Sequence, residues 1–111
     1  LTLRGVKVGH NEGPGVCSGG VVQLEYCRNA LLEGCKLFGC GTIGVNAICC
    51  GGLTVNQCEI YECSSSGITL LNCEGVLAVE CDFHDIGEGE GDYFYASEDS
   101  RDVSINGQVV R

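Results

Sequence analysis

Apolar residues alternate with polar residues or glycine over short runs along this chain. Val22 and Leu24 are the apolar positions of one run, and Ala30 and Leu32 are those of the next. An alternation with a period of two predicts β-strands that bury one face. The runs are separated by Gly, Asn and Ser, which are typical of turns. The pattern therefore predicts an all-β chain of short strands, and no stretch shows a helical period.

The same pattern recurs every 23 residues, and the cysteines show it most clearly. Nine of the ten cysteines fall into three columns with this spacing: Cys17, Cys40 and Cys63; Cys27, Cys50 and Cys73; Cys35, Cys58 and Cys81. Apolar residues form further columns: Val22, Val45 and Ile68; Leu24, Ala47 and Leu70; Leu32, Val55 and Ala78; Leu37, Ile60 and Phe83. A fixed period of this length predicts a repeat architecture.

Three short strands per repeat cannot bury their inward faces alone, whereas coils stacked about 4.8 Å apart enclose a continuous interior. We therefore predict a right-handed, single-stranded parallel β-helix (a solenoid) of about five coils, forming one domain over residues 1–111. The expected coils span about 1–18, 19–41, 42–64, 65–87 and 88–111, with insertions before Cys17 and from Glu88 to about Ser100. Because Leu1 to Val6 already has the pattern of a strand, we expect the chain to be part of a longer protein.

Two segments of the first coils carry a family resemblance. They are Gly9-His10, followed by Gly15-Val16-Cys17-Ser18-Gly19-Gly20-Val21, and Leu37-Phe38-Gly39-Cys40-Gly41-Thr42. The chain resembles the β-helix repeats of the pectate-lyase-like superfamily over nearly its whole length, and these segments are most similar to β-helix domains of bacterial proteins. The resemblance implies the fold without a particular activity, because the fold carries lyases, hydrolases, adhesins and spacers. Gly9-His10-Asn11 stands where a hydrolase of this superfamily would have Gly-His-Gly.

The cysteine columns occupy inward or corner positions beside Leu, Ile and Val, where Cys behaves as a small apolar residue. We predict ladders of free thiols. Disulfides along each column are the alternative, but parallel side chains in register fit the disulfide dihedral poorly. The chain contains no CxxC pair, which disfavours zinc. Free thiols favour a reducing, cytoplasmic compartment, whereas the resemblance leaves a secreted or surface location open.

The net charge of the chain limits the classes of partner that it is expected to bind. A formal net charge of -9 argues against binding to nucleic acid and to anionic membranes. No apolar run approaches the roughly 18 residues of a membrane-spanning helix, so we expect no membrane insertion. Protein and carbohydrate stay open as partner classes. End-to-end or lateral self-association also stays open, because an open solenoid has unpaired edge strands.

The repeat brings a group of acidic residues together on one outer face. It stacks Glu59 under Asp82 and Glu62 under Asp85, with Tyr61 and His84 between them. The four carboxylates are candidate Ca²⁺ ligands. With His84 they are also candidate catalytic residues, because retaining glycosidases place two carboxyl groups about 5.5 Å apart. The alternative is a solvated acidic surface that favours solubility. We expect no cofactor, with Ca²⁺ as the alternative.

The two insertions supply further candidates. His10 lies in a Gly-rich segment and is a candidate ligand-binding residue, as are Tyr93 and Tyr95, whose rings could stack on sugars. Three acidic residues of the second insertion are further candidate Ca²⁺ ligands: Glu88, Glu90 and Asp92. The alternatives are an exposed Gly-rich turn for His10 and aromatic rings that pack back onto the solenoid.

These observations favour a non-catalytic structural or recognition module that presents loops and an acidic face. The alternative is a carbohydrate-binding or carbohydrate-active β-helix that uses the stacked carboxylates of the pairs Glu59/Asp82 and Glu62/Asp85. We favour the absence of enzymatic activity, because no arginine lies within the acidic group to serve as a lyase base and no paired aspartates mark a central strand.

Overall fold

The computed structural model describes residues 2–9, 20–38, 43–63, 66–86 and 94–111. Within these ranges the chain forms short β-strands and no helix. The strands are β1 (Thr2–Arg4), β2 (Lys7–Gly9), β3 (Gly20–Glu25), β4 (Leu31–Glu33), β5 (Lys36–Phe38), β6 (Ile43–Ile48), β7 (Thr54–Asn56), β8 (Glu59–Cys63), β9 (Ser66–Leu71), β10 (Glu74–Val79), β11 (Asp82–Ile86), β12 (Phe94–Ala96), β13 (Arg101–Ile105) and β14 (Gln108–Val109). The described residues contain no helix long and apolar enough to cross a lipid bilayer.

The strands form three sheets, and the chain visits them in turn. Sheet A has the order β1-β4-β7-β10-β13-β14, sheet B has β11-β8-β5-β2, and sheet C has β12-β9-β6-β3. Every pairing is parallel except that of β13 with β14. A chain that returns to each sheet one strand further along forms a parallel β-helix. The predicted fold class is therefore confirmed.

The 23-residue register is confirmed strand by strand. Val22 lies opposite Val45, which lies opposite Ile68, and the columns of Leu37 and Leu32 pair in the same way. Leu3 pairs with Leu32, a spacing of 29 that equals the repeat plus the six-residue insertion.

The predicted number of about five coils is wrong, because the regular register runs through only about three turns, from β3 to β11. The strands outside this range belong to partial turns. β1 and β2 precede the first insertion, and β12 and β13 follow the second. The last turn does not continue into sheet B, because the chain reverses after β13 and pairs β14 antiparallel to it.

Residues with positive φ form the corners between the sheets. They recur in register: Tyr26, Cys49 and Asn72; Asn29, Gly52 and Gly75; Gly34, Gln57 and Glu80; Glu62 and Asp85. A single left-handed residue turns an extended chain sharply, and Gly and Asn adopt this conformation at the lowest cost. Cys49 is one of these corner residues, with φ of 53°, which accounts for its position outside the three cysteine columns.

Stacked aliphatic side chains fill the interior. Leu32, Val55, Ile60 and Ile68 are fully buried and belong to the columns that the repeat predicts. The interior is close-packed at Gly44, where an added Cβ would lie 2.6 Å from the carbonyl oxygen of Gly67 and would also overlap the side chain of Ile60. Glycine is therefore required at this position by space rather than by backbone conformation.

The eight described cysteines are free: Cys27, Cys35, Cys49, Cys50, Cys58, Cys63, Cys73 and Cys81. For them the prediction of thiol ladders is confirmed, and Cys17 and Cys40 lie outside the described residues. The columns are buried except for the half-buried Cys27. Burial raises the pKa of Cys58 and of Cys63 to about 11, so both remain protonated thiols at neutral pH.

Each buried thiol in two of the columns donates to carbonyl groups near a corner. Cys58 donates to the carbonyl oxygen of Leu32 in the preceding coil, at 3.5 Å, and to that of Asn56 in its own coil. Cys73 and Cys81 repeat the contact to the preceding coil, with distances of 3.3 and 3.4 Å. The sulfur thus fills a small apolar space and also provides a weak donor where the backbone turns.

Side chains and β14 cover part of the final edge of the stack. The side chain of Asn106 accepts a hydrogen bond from the backbone N–H of Cys81 and donates one to its carbonyl oxygen, both at 2.9 Å. Ser100 Oγ accepts from the N–H of Cys73 at 3.1 Å. These contacts replace the backbone of a further coil, while β14 pairs with the edge strand of sheet A. They block an edge that would otherwise pair with other chains.

Candidate functional site

The outer face of sheet B carries the acidic group that the repeat predicts. Two columns of outward residues cross its strands: Lys7, Lys36, Glu59 and Asp82; Gly9, Phe38, Tyr61 and His84. We call this surface the sheet B face. The predicted stacking of Glu59 with Asp82, and of Tyr61 with His84, is confirmed by the register of β8 and β11.

Three rings stack along the second column. The ring centroids of Phe38 and Tyr61 are 5.1 Å apart, those of Tyr61 and His84 are 4.9 Å apart, and the ring planes in both pairs are nearly parallel. The ring of Phe38 also covers Gly9, where a side chain would overlap it. Parallel strands in register favour this arrangement, because they place equivalent side chains one above another. The neighbouring faces of these rings contact each other, which fixes the plane of the His84 ring.

His84 forms two charge-assisted hydrogen bonds within the face. Its Nε2 lies 2.7 Å from Glu59 Oε2, and its Nδ1 lies 2.9 Å from Asp85 Oδ2. Both ring nitrogens therefore meet carboxylates, an arrangement that favours the doubly protonated imidazolium. The hydrogen bonds to Asp85 and Glu59 raise the pKa of His84 to about 9 against the opposing effect of desolvation, and the charge of Asp82 adds to the rise.

The four predicted carboxylates have different surroundings. Glu59 lies between His84 and Lys36, whose Nζ is 3.9 Å from its Oε1. Potential ligand atoms of Glu59, Asp82 and His84 lie within 4.8 Å of one another, so these three residues could hold a cation. Burial raises the pKa of Tyr61, and the charges of Glu59 and then of Glu62 add to the rise.

Among the insertion candidates, Tyr95 lies within the described residues, and it is not part of this site. Tyr95 lies in β12 opposite Thr69, on the outer face of sheet C, where it is 53% exposed. The remaining candidates lie outside the described residues: His10, Glu88, Glu90, Asp92 and Tyr93.

A second polar surface was not predicted from the sequence. A groove of about 990 Å³ lies over the corner between sheets C and A, and Tyr26, Arg28, Cys49, Glu74 and Arg101 contribute to its lining. None of the described lining residues is a histidine, so Cys49 has no imidazole base in the groove. The sequence feature that could have indicated this groove is the repeat itself. It places one residue of each coil at the same corner, in the order Arg28, Gly51, Glu74 and Arg101.

The described residues form a β-solenoid of 23-residue coils, and one outer face of this solenoid carries ion-paired side chains. Residues 1–110 match the family model described as a right-handed β-helix region. The chain belongs to this right-handed β-helix family. No curated protein and no solved structure gives a significant match. The family match supports the predicted fold, whereas the pectate-lyase-like superfamily and the bacterial source stay predictions.

Proposed function

We propose that this β-helix is a non-catalytic module that serves as a rigid scaffold and presents its loops and polar faces for recognition. The observation that carries the proposal is the position of His84 between Glu59 and Asp85. A general base must be unprotonated near the working pH, and a histidine whose pKa is about 9 is mostly protonated there. The imidazole of this face therefore acts as an internal counter-ion.

The thiols support the same proposal. The thiolate is the nucleophilic form of cysteine, and burial in the solenoid keeps the described cysteine columns, apart from the half-buried Cys27, away from solvent. Desolvation raises the pKa of Cys58, Cys63, Cys73 and Cys81. These cysteines fill the interior instead of reacting, which is the behaviour expected of a structural scaffold.

A turnover assay tests the proposal. The protein is incubated with polygalacturonate and with neutral polysaccharides, and both reducing ends and unsaturated products are measured. We expect no turnover. Activity that is lost in Glu59→Gln and retained in the control Glu74→Gln, which lies at the corner between sheets C and A, would show that the sheet B face is catalytic.

The second candidate function is carbohydrate binding by the sheet B face. It is favoured by the placement of Glu59 directly opposite Asp82, with His84 beside them, because adjacent carboxylates can accept hydrogen bonds from sugar hydroxyls. The mutual stacking of Phe38, Tyr61 and His84 weighs against it, because each contact occupies ring faces that a sugar would need. Titration calorimetry with oligosaccharides, on the parent and on Asp82→Asn, distinguishes the two functions.

The proposed scaffold requires no cofactor, and Ca²⁺ at the predicted carboxylates is the alternative. His84 already supplies positive charge between Glu59 and Asp85, so we expect thermal unfolding in EDTA and in roughly millimolar Ca²⁺ to coincide. A calcium-dependent rise in Tm that disappears in the double variant Asp82→Asn, Asp85→Asn would establish the cation site. A rise that survives in this variant would place the site elsewhere, with Glu88, Glu90 and Asp92 the next candidates.

A further inference from the structure

The first column of the sheet B face has an ordered pattern of charge. Lys7, Lys36, Glu59 and Asp82 follow one another on β2, β5, β8 and β11. Two positive residues are thus followed by two negative residues over a distance of about 14 Å. The chain has no other lysine, so both of its ammonium groups lie in one half of this column. Lys7 and Asp82, at the two ends, are exposed.

This order of charges is its own complement when it is reversed. If two copies meet face to face with their strands parallel and the order of their coils reversed, Lys7 of each lies opposite Asp82 of the other. Lys36 then lies opposite Glu59. We propose that the sheet B face is a docking surface for a second copy of this chain, related to the first by a two-fold axis. A two-fold interface requires a surface of this self-complementary kind.

The aromatic column lies where the centre of this contact falls. The two-fold axis passes between β5 and β8, which carry Phe38 and Tyr61 side by side in the neighbouring column. Both rings are half-buried, and since each stacks on the other through its face, the contact offered to a partner is made by ring edges. Aromatic residues at the centre with charged residues around them are the usual composition of a protein interface.

A second copy fits this face better than a uniformly charged partner does. An acidic partner would match the half that contains Lys7 and Lys36 and would be repelled by the half that contains Glu59 and Asp82. A basic partner would match the half that contains Glu59 and Asp82 and would be repelled by the half that contains Lys7 and Lys36. A second copy matches both halves at once, even though the chain as a whole has a formal net charge of -9.

The small size of the face favours a weak and reversible association. Four strands of three to five residues present a surface of roughly 19 by 17 Å, which is smaller than the face of a standard stable interface. We therefore expect a reversible dimer that forms at roughly 100 µM chain and dissociates at roughly 1 µM.

Sedimentation equilibrium over this range tests the docking surface with charge reversal. The average mass of the parent should rise from the 11.7 kDa of the monomer toward twice that value. K7E places like charges opposite Asp82, and D82K places like charges opposite Lys7, so each variant alone should stay monomeric. An equimolar mixture of the two variants should associate, because every end pair is again of opposite sign. The double variant K7E/D82K should also associate with itself.

The control variants reverse one positive and one negative charge outside the sheet B face. R28E and E74K change the net charge by the same amounts at the corner between sheets C and A, and both should associate like the parent. Circular dichroism and thermal unfolding establish that each variant is folded, and the mixture and the double variant still test the surface if one single variant is unstable. A parent that stays at 11.7 kDa throughout overturns the proposal. Association that is indifferent to K7E and D82K, or a mixture that stays monomeric, also overturns it.

Discussion

The buried thiols should be far less reactive than the corner thiol in the native protein. Cys58 is 1% exposed, and burial raises its pKa from the ordinary 9.0 to about 11. At pH 8, a thiol with a pKa of 9.0 is about one-tenth ionised, and one with a pKa of about 11 is about one-thousandth ionised. Ionisation alone therefore slows alkylation of Cys58 about a hundredfold relative to an ordinary thiol. Exclusion of the reagent until the structure opens locally adds to this factor.

Two-step alkylation with isotopically distinct reagents measures this difference. The unreduced protein is alkylated at pH 8 in the native state and then in denaturant, and mass spectrometry reads the ratio at each cysteine. Cys49 is half-buried on the outer surface of a corner and should be modified early. Cys58 and Cys63 should be modified at least a hundredfold more slowly, and all the described cysteines should react in denaturant without prior reduction.

The control variant Cys49→Ser should remove the corner signal and leave the slow rates unchanged. Two results would refute the reasoning. Modification of Cys58 and Cys63 as fast as that of Cys49 would show that the thiol columns are open to solvent. Resistance of the columns in denaturant until a reductant is added would show that they are disulfides.

Three further predictions concern stability. Gly44→Ala should lower the free energy of unfolding by about 1–3 kcal/mol in urea titration, because the added methyl overlaps Ile60 and the Gly67 carbonyl, and an unchanged midpoint would refute this. Asn106→Ala should cost about 1–3 kcal/mol by the same measurement, since it removes both partners of the Cys81 backbone; a neutral effect would mean that it is no cap. The raised pKa of His84 means that its ion pairs contribute fully below pH 6.5 and are lost as the pH rises through about 9. Between these values the Tm of the parent should fall relative to that of His84→Gln, and parallel curves would contradict the ion pairs.

The solenoid was predictable because its inward positions obey a strict period. Each coil must place an apolar residue above the one before it, so Leu37, Ile60 and Phe83 reveal the register without any structural information. The number of coils was less predictable, because nothing in the pattern of Val103 and Ile105 distinguishes a continuing coil from a final strand. The antiparallel return of β14 depends on Asn106 and Gly107, two consecutive residues with positive φ.

The site was predictable as a set of neighbours but not as a set of interactions. The period places Glu59 opposite Asp82, yet it does not determine that His84 reaches back to Glu59. The second hydrogen bond of His84 is made to its neighbour in the chain, Asp85. This bond depends on the left-handed conformation of Asp85, with φ of 55°, which the spacing of the carboxylates along the sequence does not reveal. A strict period of 23 does not place Lys7 in this column, because the six-residue insertion changes its spacing to Lys36 from 23 to 29.

The protonation state of His84 tests the central claim, that this histidine is engaged with Glu59 and Asp85 on the sheet B face and does not serve as a free base. An NMR titration of the imidazole signals, assigned with His84→Gln, measures its pKa directly. We predict a pKa of about 9, with both ring nitrogens protonated at pH 7, and a lower pKa in Asp85→Asn, which removes the largest cause of the shift. A pKa near 6.5, with a neutral ring at pH 7, would contradict the account and leave a base available for catalysis.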